Sequence, residues 1–238
     1  MTPDAFPAGV SVVVITRDRR GDLHSTLDRL TALPDADEVI VVDKGSSDGT
    51  ATAVREACPQ LGLIEPGRNL GAPGRTLGVR AAARPVVAFA GDDSWWEPGA
   101  GPRGEPVGGA RTAGAALWSD HRRARGCHRP GLQHDGSRPP GSGPAGSLRA
   151  RAPRLRCHRA TGGLSAVGGY SSLLHFGGEE RLLSVDLAVG GWQQCYVDTV
   201  VAHHAPSPRR GDWSARWAPY RRNDTLTAVL RLPGSRGC

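Results

Sequence analysis

Three short apolar runs dominate the first hundred residues, and each ends abruptly on polar side chains. Val10-Ser-Val-Val-Val-Ile-Thr16, Glu38-Val-Ile-Val-Val-Asp43 and the Val-Val-Ala-Phe-Ala stretch from Val86 to Ala90 are rich in β-branched residues, and they predict strands buried on both faces. Between the first two, Leu23, Leu27 and Leu30 recur at helical spacing, and Ala51 to Ala57 reads as a second helix. Strand, helix, strand, helix, strand is the signature of a parallel sheet with crossover helices, an α/β fold.

Ligands of such sheets bind beyond the carboxyl ends of the strands. Thr16, Arg17, Asp43, Asp92 and Asp93 all fall at those ends. Two adjacent acids at a strand tip repel unless a cation or a donor-rich ligand lies between them. An Asp-Asp-Ser turn that merely caps the next segment is the bland alternative. No Gly-x-Gly-x-x-Gly follows the first strand, where Thr16-Arg17-Asp18-Arg19 stands instead, and no Gly-x-x-x-x-Gly-Lys-Ser/Thr occurs, which argues against the common dinucleotide and P-loop sites. A phosphate-bearing ligand held with a divalent cation, Mn or Mg, fits the acids. Arg17, Arg68 and Arg75 offer further positive charge.

Four pieces in order carry a family resemblance: the first strand with Thr16-Arg17; Val-Val-Asp43-Lys-Gly-Ser-Ser-Asp48-Gly-Thr; Arg68-Asn69-Leu-Gly71 with the Gly78-Val-Arg80-Ala helix; and Ala-Phe-Ala-Gly-Asp92-Asp93-Ser-Trp-Trp. The segment from Val10 to about Ala100 resembles the nucleotide-binding half of the family 2 inverting glycosyltransferases, which have a GT-A fold: a Rossmann-like, mainly parallel sheet flanked by helices. The resemblance implies that Asp43 contacts the nucleobase, that Thr16, Arg17, Arg75 and Asp92 serve the donor, and that Asp93 is the metal-binding acid of an Asp-x-Asp motif. Gly91 stands where that motif has its first acid.

The resemblance returns from about Ala166 to Arg210. Val-Gly-Gly-Tyr170 through Gly-Gly-Glu179-Glu180-Arg-Leu-Leu is similar to the acceptor-side segment bearing the catalytic base, which makes Glu180 the candidate base and Glu179 its neighbour. Acids at a helix start are also ordinary partners of the helix dipole. The strand-like run after Trp192 ends in His203-His204. In the resembling enzymes it closes the mixed part of the sheet, and a histidine there, His204 here, reaches the metal or the diphosphate; a surface His-His pair without metal is the plainer alternative.

Residues 101–160 break this character. They contain 12 Arg, 11 Gly, 9 Ala and 7 Pro and no Ile, Phe, Tyr or Met, too little apolar surface to offset ordering of the backbone. Their charge balance of +9, within a chain of +7, leaves the remainder at −2, so the basic character belongs to one segment. A nucleic-acid role for that segment is disfavoured by its single aromatic, Trp118, and by its position inside a domain. A GC-rich gene read in a shifted frame yields this same excess, so out-of-frame translation of about 101 to 159 is one account of the segment and an ordinary insertion or disordered linker the other; translation of the gene in all frames decides between them.

The resulting layout is a nucleotide-sugar-binding half over 1–100, a low-order segment over 101–160, and an acceptor-side half of the same domain over 161–238. The expected activity is metal-assisted transfer of a sugar from a nucleotide-sugar donor to an acceptor hydroxyl, the acceptor being a glycan, a lipid or a small molecule. Two alternatives stay open: an impaired remnant that only binds nucleotide, and a nucleic-acid-associated protein using the basic segment. No apolar run approaches the ~20 residues that span a bilayer. The N-terminus lacks the basic start and apolar stretch of an export signal. The five cysteines show no Cys-x-x-Cys spacing, so neither zinc nor a disulfide framework is expected, and a reducing, cytoplasmic setting is.

Overall fold

The computed structural model describes residues 9–34, 36–84, 86–96, 115–116, 157–159, 161–192, 194–195, 202–205 and 214–231. The elements are β1 (Val10–Thr16), α1 (Arg20–Thr31), β2 (Ala36–Asp43), α2 (Thr50–Ala57), β3 (Gly62–Ile64), α3 (Gly74–Ala81), β4 (Val86–Gly91), β5 (Ser94–Trp96), β6 (Ala115–Ala116), β7 (Cys157–Arg159), α4 (Thr161–Ala166), α5 (Glu179–Val189), β8 (Gln194–Cys195), β9 (Ala202–His204) and α6 (Ser214–Arg231).

The main sheet runs β3-β2-β1-β4-β7. Its first four strands are parallel, and β7 is antiparallel to β4. Alternation along β1 explains the two-sided core. Val12 and Val14 pack with Leu23, Leu27 and Leu30 of α1 on one face, whereas Val13 packs with Val79 of α3 and with Phe89, Leu164, Tyr170, Leu183 and Leu187 on the other. A nearly continuous apolar run is what a parallel strand covered on both faces shows. Residues 161–192 therefore complete the second face of the sheet that the first ninety residues begin.

Register fixes the functional edge. Thr16 pairs with Asp43, and Ile15 pairs with Gly91, so the carboxyl ends of β1, β2 and β4 lie level.

Within residues 101–160, Cys157–Arg159 forms the edge strand against Val86, Val87 and Ala88. Ladder hydrogen bonds are made by the backbone, so a Cys-His-Arg tripeptide serves an edge as well as an apolar one. Ala115–Ala116 pairs with Gln194–Cys195; the rest of the Arg-rich segment lies outside the described residues. The last three residues of the described run ending in His203-His204 pair antiparallel with β5 in a separate two-stranded sheet.

Among the described residues no helix is long and apolar enough to cross a membrane.

Candidate functional site

The site begins with two stapled loops. After β1, Asp18 takes a left-handed conformation, φ 50°, which short polar side chains tolerate because they bond locally. Its N–H donates to Ser46 Oγ at 2.9 Å, and its Oδ1 accepts from the Ser47 N–H at 2.7 Å. After β2, Asp43 Oδ1 accepts from the Ser46 N–H at 3.1 Å and from the Ser46 hydroxyl. Asp48 accepts from the Arg20 N–H at 3.1 Å and the Thr50 N–H at 3.0 Å. Burial raises the Asp48 carboxyl, but hydrogen bonds from the Thr50 hydroxyl and from backbone N–H groups outweigh it and hold the group below its ordinary value. The Lys44 N–H closes the clasp on Thr16 O at 3.0 Å. Asp43 is thereby fixed at the strand end, nearly fully buried.

Asp18, Ser46 and Asp48 had not been singled out for this task. The signal was present in Ser-Ser-Asp-Gly, a run of turn formers whose short side chains bond neighbouring backbone.

The acid pair sits on a clamped turn between β4 and β5. The Gly91 N–H donates to Ser94 Oγ at 2.7 Å, the Thr26 hydroxyl to Asp92 O at 2.9 Å, and the Ala205 N–H to Asp93 O at 2.9 Å. Thr16 Oγ1 donates to Asp92 Oδ2 at 3.5 Å. Burial, reinforced by the charge of Asp93 and opposed by Arg19 and Lys44, pushes the Asp92 carboxyl up to about 6.

Asp93 faces a histidine. Pairing of Ser94 with His204 across β5 and β9 brings His204 Nε2 to 3.4 Å from Asp93 Oδ1, both side chains largely buried. Next along the ladder, the His203 ring stacks on Trp95 with centroids 5.5 Å apart, and the Arg29 guanidinium lies over Trp95 at 4.1 Å. A carboxylate oxygen and an imidazole nitrogen at this separation suit two neighbouring positions around a hard to borderline divalent ion. Among the described residues no group of three or more His, Cys, Asp or Glu side chains could hold a metal ion. The remaining positions would fall to phosphate oxygens and water, as is usual for Mg-like ions.

The structure thus gathers Thr16, Asp43, Asp92, Asp93 and His204 at one edge. Arg17 lies outside that cluster, 46% exposed at the rim and 3.4 Å from Asp18. Arg75 and Glu179 have found each other: Arg75 Nη1 is 3.7 Å from Glu179 Oε1, and the guanidinium lies 5.5 Å from the Tyr170 ring and 6.0 Å from Phe89. Glu180 follows in the first turn of α5, half-buried.

Further contacts tie residues 170–175 to the Gly71 turn and α3. The Ala72 N–H donates to His175 O at 2.8 Å, and the Tyr170 N–H to Thr76 Oγ1 at 3.0 Å. Gly71 has φ +64°, and a Cβ there would stand 2.0 Å from the His175 carbonyl oxygen. A bare Cα lets the Arg68–Gly71 turn and the loop before α5 touch.

Residues 11–103 match the model of glycosyl transferase family 2, so the family resemblance holds on the part of the chain that carries β1 to β5. No curated protein matches the chain. Among solved structures, the mannosyltransferase PcManGT from Pyrobaculum calidifontis, in complex with GDP-Man and Mn2+, is similar over 93% of this chain and 64% of that one, with 20% identity and a TM-score of 0.65. S. aureus TarS 1–349 in complex with UDP is similar over 93% and 64% of the two chains, with 17% identity and a TM-score of 0.60. Glucosyl-3-phosphoglycerate synthase from Mycobacterium tuberculosis, with Mn2+, UDP and glucosyl-3-phosphoglycerate, is similar over 96% of this chain and 82% of that one, at 18% identity and a TM-score of 0.56. The chain spans less than two thirds of the first two. The fold is GT-A: a mainly parallel sheet with flanking helices.

Proposed function

We propose that this chain is a glycosyltransferase that moves a sugar from a nucleoside-diphosphate sugar to an acceptor hydroxyl with inversion, using a divalent cation. The observation that carries the proposal is the meeting of Asp93 and His204 at 3.4 Å, level with Thr16 and Asp43 at the carboxyl edge of the sheet. The family match over residues 11–103 and the nucleotide complexes of the similar structures support it.

Asp43 would receive the nucleobase. Its Oδ1 is occupied by Ser46, which leaves Oδ2 as the oxygen to accept from a base N–H. Thr16 holds Asp92 behind it. Asp93 and His204 would hold a Mn or Mg ion, whose chemistry when bound is to neutralise charge on the departing diphosphate. Glu180 would take the proton from the acceptor hydroxyl, and attack in line with the leaving group inverts the anomeric centre in one step. Residues 1–100 and 161–238 would act as one domain, donor side and acceptor side.

Calorimetric titration with manganese and a set of nucleoside diphosphates tests the donor site; silence with every nucleotide removes it. Glu180→Ala should abolish transfer and leave nucleotide binding intact, and loss of both together would make Glu180 structural. One observation favours a second reading. Gly91 leaves the turn without the first acid of its motif, so a protein that binds nucleotide with manganese but neither transfers nor hydrolyses a donor sugar would be a binding remnant.

A further inference from the structure

The loop that delivers Glu179 and Glu180 is gripped from the C-terminal helix. Asn223 lies on α6, 1% exposed. Its Nδ2 donates to Phe176 O at 2.9 Å and to Gly177 O at 2.6 Å. Both partners are carbonyl oxygens, which only accept, so the amide orientation follows from the partners. Its Oδ1 accepts from Arg222 Nη1 at 3.1 Å.

Two consecutive carbonyls turn toward one amide because of the residues that follow. Gly177 and Gly178 have φ +84° and +78°, a region that L side chains avoid. A Cβ on Gly177 would meet the Tyr220 ring at 3.1 Å, so α6 packs flush against the bare backbone, and Phe176 meets Tyr220 edge to face. Gly178 is the N-cap of α5 and offers no side-chain cap. The start of α5 is therefore held through the preceding backbone, and Asn223 holds that backbone. Arg181 Nη1 pairs with Asp224 Oδ1 at 3.0 Å beside it, and Arg231 pairs with Asp186 farther along.

We infer that Asn223 is a positioning residue: it sets where the first turn of α5, and with it Glu180, stands relative to the donor edge. The C-terminal helix is then a working part of the site. The catalytic half of the inference rests on the glycosyltransferase reading above, and the mechanical half does not.

The test is hydrogen exchange on the full chain with Asn223→Ala and the shape-preserving Asn223→Asp, followed by kinetics. The amides of Arg181 and Leu182 donate to Gly178 O. They should exchange at least about tenfold faster in both variants, while those of Val12 to Val14 keep wild-type protection. Unchanged exchange at Arg181 and Leu182, or an equal rise throughout β1, overturns the inference. With a donor that the wild type turns over, kcat should fall about tenfold or more with donor KM within about twofold. A kcat that stays at wild type despite the loosened amides removes the catalytic half. A wild type inert toward every donor fails the glycosyltransferase reading, and exchange then decides the mechanical half alone.

Discussion

Arg75 and Glu179 form an ion pair at 3.7 Å with side chains 3% and 2% exposed, linking the first turn of α3 to the first turn of α5. The guanidinium expected to serve the donor and the carboxylate next to Glu180 thus also join α3 to α5. Planar, always charged and weakly hydrated, Arg suits burial between Tyr170 and Phe89 better than Lys would.

Removing one partner of a buried pair leaves an uncompensated charge, at a cost of about 3–5 kcal/mol, whereas removing both in favour of apolar residues is far milder. Glu179→Leu and Arg75→Met should each lower the urea midpoint strongly, and the double variant should recover most of the loss. Additive losses in the double variant would show that the two side chains are not coupled.

Asp92 gives the metal-free protein a pH signature. Its carboxyl is pushed up to about 6 in the folded chain, above its ordinary value of 3.8, chiefly through burial and then through Asp93. Below about 4 the folded and unfolded forms are both protonated; between about 4 and 6 the unfolded chain releases the proton while the folded chain retains it. Stability attributable to this group therefore falls as pH rises through that window, by roughly 3 kcal/mol in total. Urea unfolding of wild type and Asp92→Asn across the range should show the wild type losing ground to the variant as pH rises. Parallel curves would mean that the carboxyl is not desolvated.

Much of the sheet was legible because β1, β2 and β4 are covered on both faces and so read as nearly continuous apolar runs. Their ends at Thr16, Asp43 and Asp92–Asp93 marked the candidate ligand edge. What stayed hidden depends on partners distant in sequence. Three residues of β3 carry too little pattern to register. The pairing of β5 with β9, which sets His204 against Asp93, is made by backbone groups that any sequence possesses. Whether Arg75 meets a phosphate or Glu179 depends on how α5 docks, and no local spacing encodes that. Asn223 reads as an ordinary polar helix residue until the carbonyls of Phe176 and Gly177 are seen beneath it.

Gly71 is a tight seam between the turn before α3 and the loop before α5. With φ +64° and a virtual Cβ 2.0 Å from His175 O, Gly71→Ala meets both left-handed strain, on the order of 1–2 kcal/mol, and a backbone clash that no rotamer relieves. The Ala72 to His175 hydrogen bond should break with it. The strain alone should lower the melting temperature by about 2–8 °C and the clash should add to it, and limited proteolysis should cut newly within 171–178. A variant as stable and resistant as wild type would show that the two loops do not depend on each other.

Placing an acid at position 91 tests the proposed metal site directly. The Gly91 φ is negative enough to accept any L residue, since it is absent from the left-handed glycines; the nearest obstacles to a Cβ are Ser94 Oγ at 3.0 Å and Asp93 Oδ1 at 3.2 Å. Both are side-chain atoms that can turn, although the Ser94 hydroxyl gives up part of its contact with the Gly91 N–H. Without metal, Gly91→Asp places a third carboxylate beside Asp92 and Asp93 and should lower stability through like-charge repulsion. With manganese the same carboxylate completes a better oxygen donor set, so affinity should rise about tenfold or more. Because binding to the folded state stabilises it by mass action, added manganese should raise the melting temperature of the variant more than that of the wild type. Equal manganese affinity in the two proteins would place the ion elsewhere than at Asp93 and His204.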